Sequence, residues 1–303
     1  MTNNRAAADA HQEYKVRPDS LRVSYFYRAL EFKNDRQGFR RTLGTLFIPA
    51  WTQLTAPLGL TAYVPSVPPK TDLSAQVPDE IAIVFFESQE VYKALKKSVG
   101  GRLCGRTLHS SVFAWQEDPS PVRKSSSGFP SRMPDPKDGE IEFQPDRDKT
   151  AQAARAPRYT GYYLFDNDAD WQGGATRVFV GLRPQTLDPD EYRRAVQQAF
   201  YALRQDRPAG LEGLLFVPLE DCLIYWAHWR SEEEERVDRL ADLNGLFSML
   251  MNTLATPKVV PTSMSRDFEG FGDIRDGDSY AIQFGRRHEQ EHKQPLNTDR
   301  GNS

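Results

Sequence analysis

The sequence holds only two cysteines, Cys104 and Cys222, with no C-x-x-C pair and no neighbouring histidine. That excludes the usual zinc sites and leaves little for a disulfide scaffold, so a reduced protein is expected. No apolar stretch approaches the roughly 20 residues that cross a bilayer, and the opening MTNNRAAADAHQEYKVRPDS has no apolar signal core. The expectation is a cytoplasmic chain without membrane insertion. An excess of one charge is missing too: 39 basic against 42 acidic residues leave a net charge of -3, which gives no drive toward nucleic acid or anionic lipid. No glycine-rich phosphate loop follows a strand, and no serine or cysteine sits in a recognised nucleophile setting.

What is present is enough chain for two domains of ordinary size, since 303 residues exceed one small core. A mean hydropathy of -0.64 assigns much of the chain to solvated loop or tail. Residues 1–20 are polar and unpatterned. Leu21 to Phe32 alternates aromatic and aliphatic with polar residues, a strand pattern. Phe39, Leu43, Leu46, Phe47, Ala50 and Leu54 then mark a helical face, ended or bent near Pro49. Leu58–Val64 and Ile81–Phe86 read as strands around a proline-rich loop. Ser88 caps a helix carrying Val91, Tyr92 and Leu95, and Thr107–Trp115 supplies a closing strand.

Pro, Ser and charged residues dominate 116–158, which reads as a linker. Beyond it, Tyr159–Phe165 and Arg177–Leu182 are strand-like, and one of them opens the second half. Asp188, Pro189 and Glu191 form a capping box at the start of a helix with Tyr192, Val196, Phe200 and Leu203 on one face. Leu214–Val217 and Cys222–Trp229 form a strand pair. Ser231 and Glu234 suggest a second capping box for a helix reaching about Thr253, and Lys258–Pro261 a short closing strand. The resulting expectation is a first domain over 21–115, a linker over 116–158, a second domain over 159–261 and a polar tail over 262–303. Within the tail, Gly270–Asp278 lacks the alternating acids and closing glutamate of a calcium loop and reads as a flexible turn.

Both halves thus have the order strand-helix-strand-strand-helix-strand, the ferredoxin-like β-α-β-β-α-β plan of an α+β fold with antiparallel sheets. The segment IYWAHWRSEEEERVDRL, an aromatic strand running into an acidic helix, resembles the corresponding stretch of the dimeric α+β barrel superfamily. The resemblance implies a tandem chain whose two sheets pack as a pseudo-dimeric α+β barrel. It also implies a ligand pocket between sheet and helices, and kinship with cofactor-free monooxygenases, polyketide cyclases and haem-handling enzymes.

On that reading His228, between Tyr225-Trp226-Ala227 and Trp229, is the candidate catalytic residue, as an acid-base group or a haem ligand. Tyr225 and Trp229 shape its pocket, and His109 in the first half lines a related one. No metal-binding cluster is expected. The implied function is binding, with or without transformation, of a small apolar or aromatic molecule. The alternative is a non-catalytic interaction or assembly factor that meets a protein partner.

Overall fold

The computed structural model describes residues 21–71, 77–113, 126–142, 161–165, 171, 173–241, 243, 245–261 and 268–284. The expected N-terminal segment 1–20 and Trp115 lie outside the described residues. The chain enters through strand β1 (Leu21–Phe26). Asp35 then caps helix α1 (Arg36–Thr42), its carboxylate accepting the Gly38 N–H at 2.8 Å. The interruption expected near Pro49 is a π-helical turn, Leu43–Phe47, that leads directly into α2 (Ile48–Thr55). Proline has no N–H for the carbonyl four residues back, and a widened turn absorbs that misfit.

Strands β2 (Leu60–Ser66) and β3 (Glu80–Phe86) follow. Helix α3 (Gln89–Lys97) is capped by Ser88 and α4 (Val99–Leu103) by Ser98. Gly101 permits this tight joint, because a Cβ there would lie 1.9 Å from the Leu95 carbonyl oxygen. Among the described residues 107–113, the strand expected over 107–115 does not form. The helix continues instead through a second π-helical turn, Cys104–Leu108, and leaves His109 with helical backbone angles. Cys104, Leu108 and Val112 recur every four residues, a helical period, and Cys104 and Val112 are buried.

The fourth strand of the first half is β4 (Ser126–Gly128), inside the expected linker, followed by the short β5 (Ser131–Arg132) and β6 (Tyr162–Tyr163). Then come β7 (Ala175–Leu182), α5 (Pro189–Gln205), β8 (Leu211–Pro218) and β9 (Cys222–Trp229). The capping box of α5 is present: Asp188 accepts the Asp190 and Glu191 N–H groups at 2.8 Å, and Glu191 accepts the Asp188 N–H. The helix expected from Ser231 to Thr253 shrinks to α6 (Val237–Ala241), and Met249–Leu254 is strand β10. Gly245, at φ +71°, turns the chain. Beyond it Met249 and Met251 pack into one core and Leu250 into another, a period of two rather than 3.6.

Strand β11 (Thr256–Val260) and β12 (Tyr280–Phe284) complete the fold. The two sheets have the orders β11-β12-β2-β3-β1-β4 and β10-β7-β9-β8-β6-β5. Numbered within each half, the runs β4-β1-β3-β2 and β10-β7-β9-β8 both read 4-1-3-2, from one edge of each sheet. Two residues after β4 the chain enters the second sheet, and one residue after β10 it enters the first. The expected linker therefore supplies the edge strands β4 and β5, and the expected tail supplies β12 between β11 and β2.

The tail is also fastened outside the sheet. Phe271 donates its N–H to the Gly44 carbonyl at 2.9 Å. Arg36 and Arg40 pair with Asp276 at 2.7 and 3.2 Å. Residues 270–278, expected as a flexible turn, dock on the α1–α2 joint. Arg36 also reaches the fully buried Asp79, which Arg28 engages at 2.7 Å.

Three cores result. One contains Val23, Ile83 and Phe85 from the first sheet together with Val178, Val217, Ile224 and Trp226 from the second. The other two lie between each sheet and its own helices.

Candidate functional site

Strand alternation decides what faces the first half's helices. On β1, Leu21, Val23 and Tyr25 join the core shared by the sheets, which sends Arg22, Ser24 and Phe26 to the helix side. Ala82, Val84 and Phe86 of β3 share that side. Ser24 and Ala82 are cross-strand partners, and neither is large enough to fill the space beneath the helices. A cavity of about 390 Å³ opens over them. Phe47, Trp51, Tyr63, Tyr92 and Leu95 form its apolar walls, and the turn after α4 contributes Cys104, Arg106 and His109.

Polar groups in the walls are held in place by aromatic neighbours. The Arg22 guanidinium lies 4.0 Å from the centre of the Tyr92 ring, a cation–π contact. His109 makes ring contacts with Phe26 at 5.2 Å and Phe47 at 5.0 Å. Burial, and then the positive charge of Arg22, push its imidazole down to about 3, so it is neutral near pH 7. On the far flank Tyr63 packs on Trp51, with ring centres 4.9 Å apart, and donates its hydroxyl to Glu80 at 2.8 Å. Glu80 is fully buried. Burial raises its carboxyl to about 8 against the opposing effect of the Tyr63 hydrogen bond, which leaves it protonated near neutrality.

On the helix side of the second sheet, large aromatic rings pack against one another. Phe179 and Tyr225 are cross-strand partners in the middle of β7 and β9, and their rings stack at 4.5 Å with 3° between planes. Phe200 of α5 closes on Tyr225 edge-on at 5.7 Å.

The residues singled out in the sequence therefore separate. Tyr225 faces the helix side, its hydroxyl donating to the Leu240 carbonyl at 2.9 Å, and Trp229 is buried in the same core. His228 lies between them in sequence and points the opposite way. It is fully buried, stacked on Trp171 at 5.0 Å, with Nδ1 2.9 Å from the Thr176 hydroxyl. The structure does not bring His228 together with Tyr225 and Trp229. His109 does line the cavity, but from a helical turn and not from a strand.

Arg22, Ser24, Tyr63 and Ala82 were missed as a set. The available signal was the polar alternation of β1, which in an element lying under helices means polar groups aimed into the interior and not at water.

No protein-family model matches the chain, and no curated protein does. Among solved structures it is similar to a proposed monooxygenase from Lactobacillus acidophilus NCFM, at 8% identity over 77% of this chain and 91% of that one, with a TM-score of 0.32. A proposed monooxygenase from Fusobacterium nucleatum is 7% identical over 77% and 88%, with a TM-score of 0.33. Chlorite dismutase from Candidatus Nitrospira defluvii is 10% identical over 75% and 82%, with a TM-score of 0.25.

Proposed function

We propose that this protein binds a small, mostly apolar or aromatic molecule in the cavity of its first half. The observation that carries the reading is the cavity itself: about 390 Å³ falls within the roughly 300–1,000 Å³ typical of ligand sites, and its walls are aromatic with a few convergent polar groups. The scaffold is read as two ferredoxin-like halves packed as a pseudo-dimeric α+β barrel. Support for this comes from the equal 4-1-3-2 strand orders, the core drawn from both sheets, and the two short crossovers. On this reading the first half runs from β1 to β4 and the second from β7 to β10, with 129–165 and 256–284 lending strands to the opposite sheet. Cys104 and Cys222, both buried free thiols, suit a reducing compartment such as the cytoplasm.

Haem, one cofactor implied by the resemblance, does not fit at His228. An axial ligand needs space on its metal-facing side, and this ring is fully buried and covered by Trp171. Acid–base work by His109 is disfavoured as well, because a general base is most effective with a pKa near the working pH, and burial holds this imidazole near 3. His109 serves better as a neutral part of the wall.

Calorimetric titration of the purified protein with 2-naphthol and related bicyclic aromatics tests the proposal. Micromolar uptake that is lost when Ala82 is replaced by phenylalanine supports it; absence of uptake overturns it. The second reading, an assembly factor, is favoured by the exposed apolar residues Leu58, Val99 and Leu103, and an empty titration would leave it the better account.

A further inference from the structure

The described charged residues that line the cavity have one sign: Arg22, Lys96, Arg102 and Arg106 line it, and no described lining residue is acidic, whereas the whole chain has a net charge of -3. Arg22 and Lys96 converge on one ring, lying 4.0 and 5.6 Å from the centre of Tyr92. Arg22 and Tyr63 are both cross-strand partners of Val84, so the guanidinium and the Tyr63–Trp51 pair flank the cavity floor on opposite sides. Cations clustered over low-dielectric aromatic walls produce a focused positive potential. A planar guanidinium is the side chain best matched to a carboxylate, which it grips through two parallel N–H donors.

Building on the small-molecule reading above, we propose that the ligand is an aromatic carboxylate, its acid group held on the Arg22 flank and its ring body laid against Phe47, Trp51 and Tyr63. Arg22 is the charged member of the helix-facing set of its strand, the others being Ser24 and Phe26. The neutral His109 beside it adds no second fixed charge. The Tyr63 hydroxyl, committed to Glu80, leaves the opposite flank uncharged, which gives the bound acid one orientation.

The test compares three probes of equal ring size on the full chain by calorimetry: 2-naphthoate, neutral 2-naphthylmethanol and cationic 2-naphthylmethylamine. The expected order is naphthoate tightest, by roughly 10- to 100-fold over the alcohol, the range of a charge-assisted hydrogen bond, with the amine weakest. Arg22→Met, which keeps the apolar stem, should weaken naphthoate by roughly 10-fold or more and the alcohol far less, with circular dichroism as the check on folding. If Arg22→Met does not fold, Arg106→Met, at an exposed position, should selectively weaken naphthoate. Equal binding of acid and alcohol, both abolished by Ala82→Phe, overturns the carboxylate assignment while leaving the cavity as a binding site. Failure of all three probes to bind overturns both.

Discussion

Ser24 faces Ala82 across the β1–β3 ladder, and that pairing of two small side chains is what hollows the first half. On the helix side of the second sheet Phe179 faces Tyr225, and two large rings stack there, where the Ser24–Ala82 pair leaves room for a cavity.

Ala82→Phe is expected to close the cavity. Filling existing space with a ring typically costs about 1–3 kcal/mol through imperfect fit, so the variant should fold while its affinity for an aromatic probe falls by at least an order of magnitude. Calorimetry for binding and urea unfolding for stability separate the two effects. Retained binding at full affinity would show that the probe sits elsewhere.

His228→Ala should behave in the opposite way. The ring is fully buried beside Trp171 and Thr176, so its removal leaves a hole between the sheets and lowers stability by about 2–4 kcal/mol. Ligand affinity should not change, because the side chain points away from the cavity. A selective loss of affinity with unaltered stability would restore His228 to the site.

Glu80 predicts a pH dependence. Its carboxyl titrates near 8 when folded, against an ordinary value of 4.5, so between those limits the folded protein holds a proton that the unfolded chain has released. Stability contributed by protonated Glu80 is complete below about 4.5 and falls as pH rises toward 8. With about 1.4 kcal/mol per pKa unit, the loss is on the order of a few kcal/mol. Urea melts from pH 5 to 9 should show this slope, and Glu80→Gln, which keeps the shape without the ionisation, should flatten it. An equal slope in both proteins would assign the effect to other groups.

Gly44→Ala probes the docking of the C-terminal segment. A Cβ at this position would lie 2.2 Å from the Gly272 carbonyl oxygen and 2.7 Å from Ile274, so the 270–274 backbone has to move and the Phe271-to-Gly44 hydrogen bond is lost. The expected cost is about 1–3 kcal/mol, accompanied by faster proteolysis between residues 262 and 280. Unchanged proteolysis would show that the π-helical turn adjusts instead.

Much of this architecture was legible in the sequence because it depends on local periodicity and capping. The continuous apolar run of β3, the strand pair of β8 and β9, the Asp188-Pro189-Glu191 start of α5, and the six-element order of each half follow from residues near one another in the chain. The closing strands were misplaced for an equally physical reason. Cys104, Leu108 and Val112 carry a helical period where a strand was expected, and Met249 to Met251 reads either as part of a helical face or as a strand until the two cores on either side of it are known. Strand pairing beyond the hairpins was hidden too, since β11 and β12 join a sheet whose other strands lie roughly two hundred residues earlier. The site depended still more on tertiary structure. Alternation determined that His228 and Tyr225 point to opposite faces, but that a cavity lies over the small Ser24–Ala82 pair was decided by how the helices of the first half pack on its sheet.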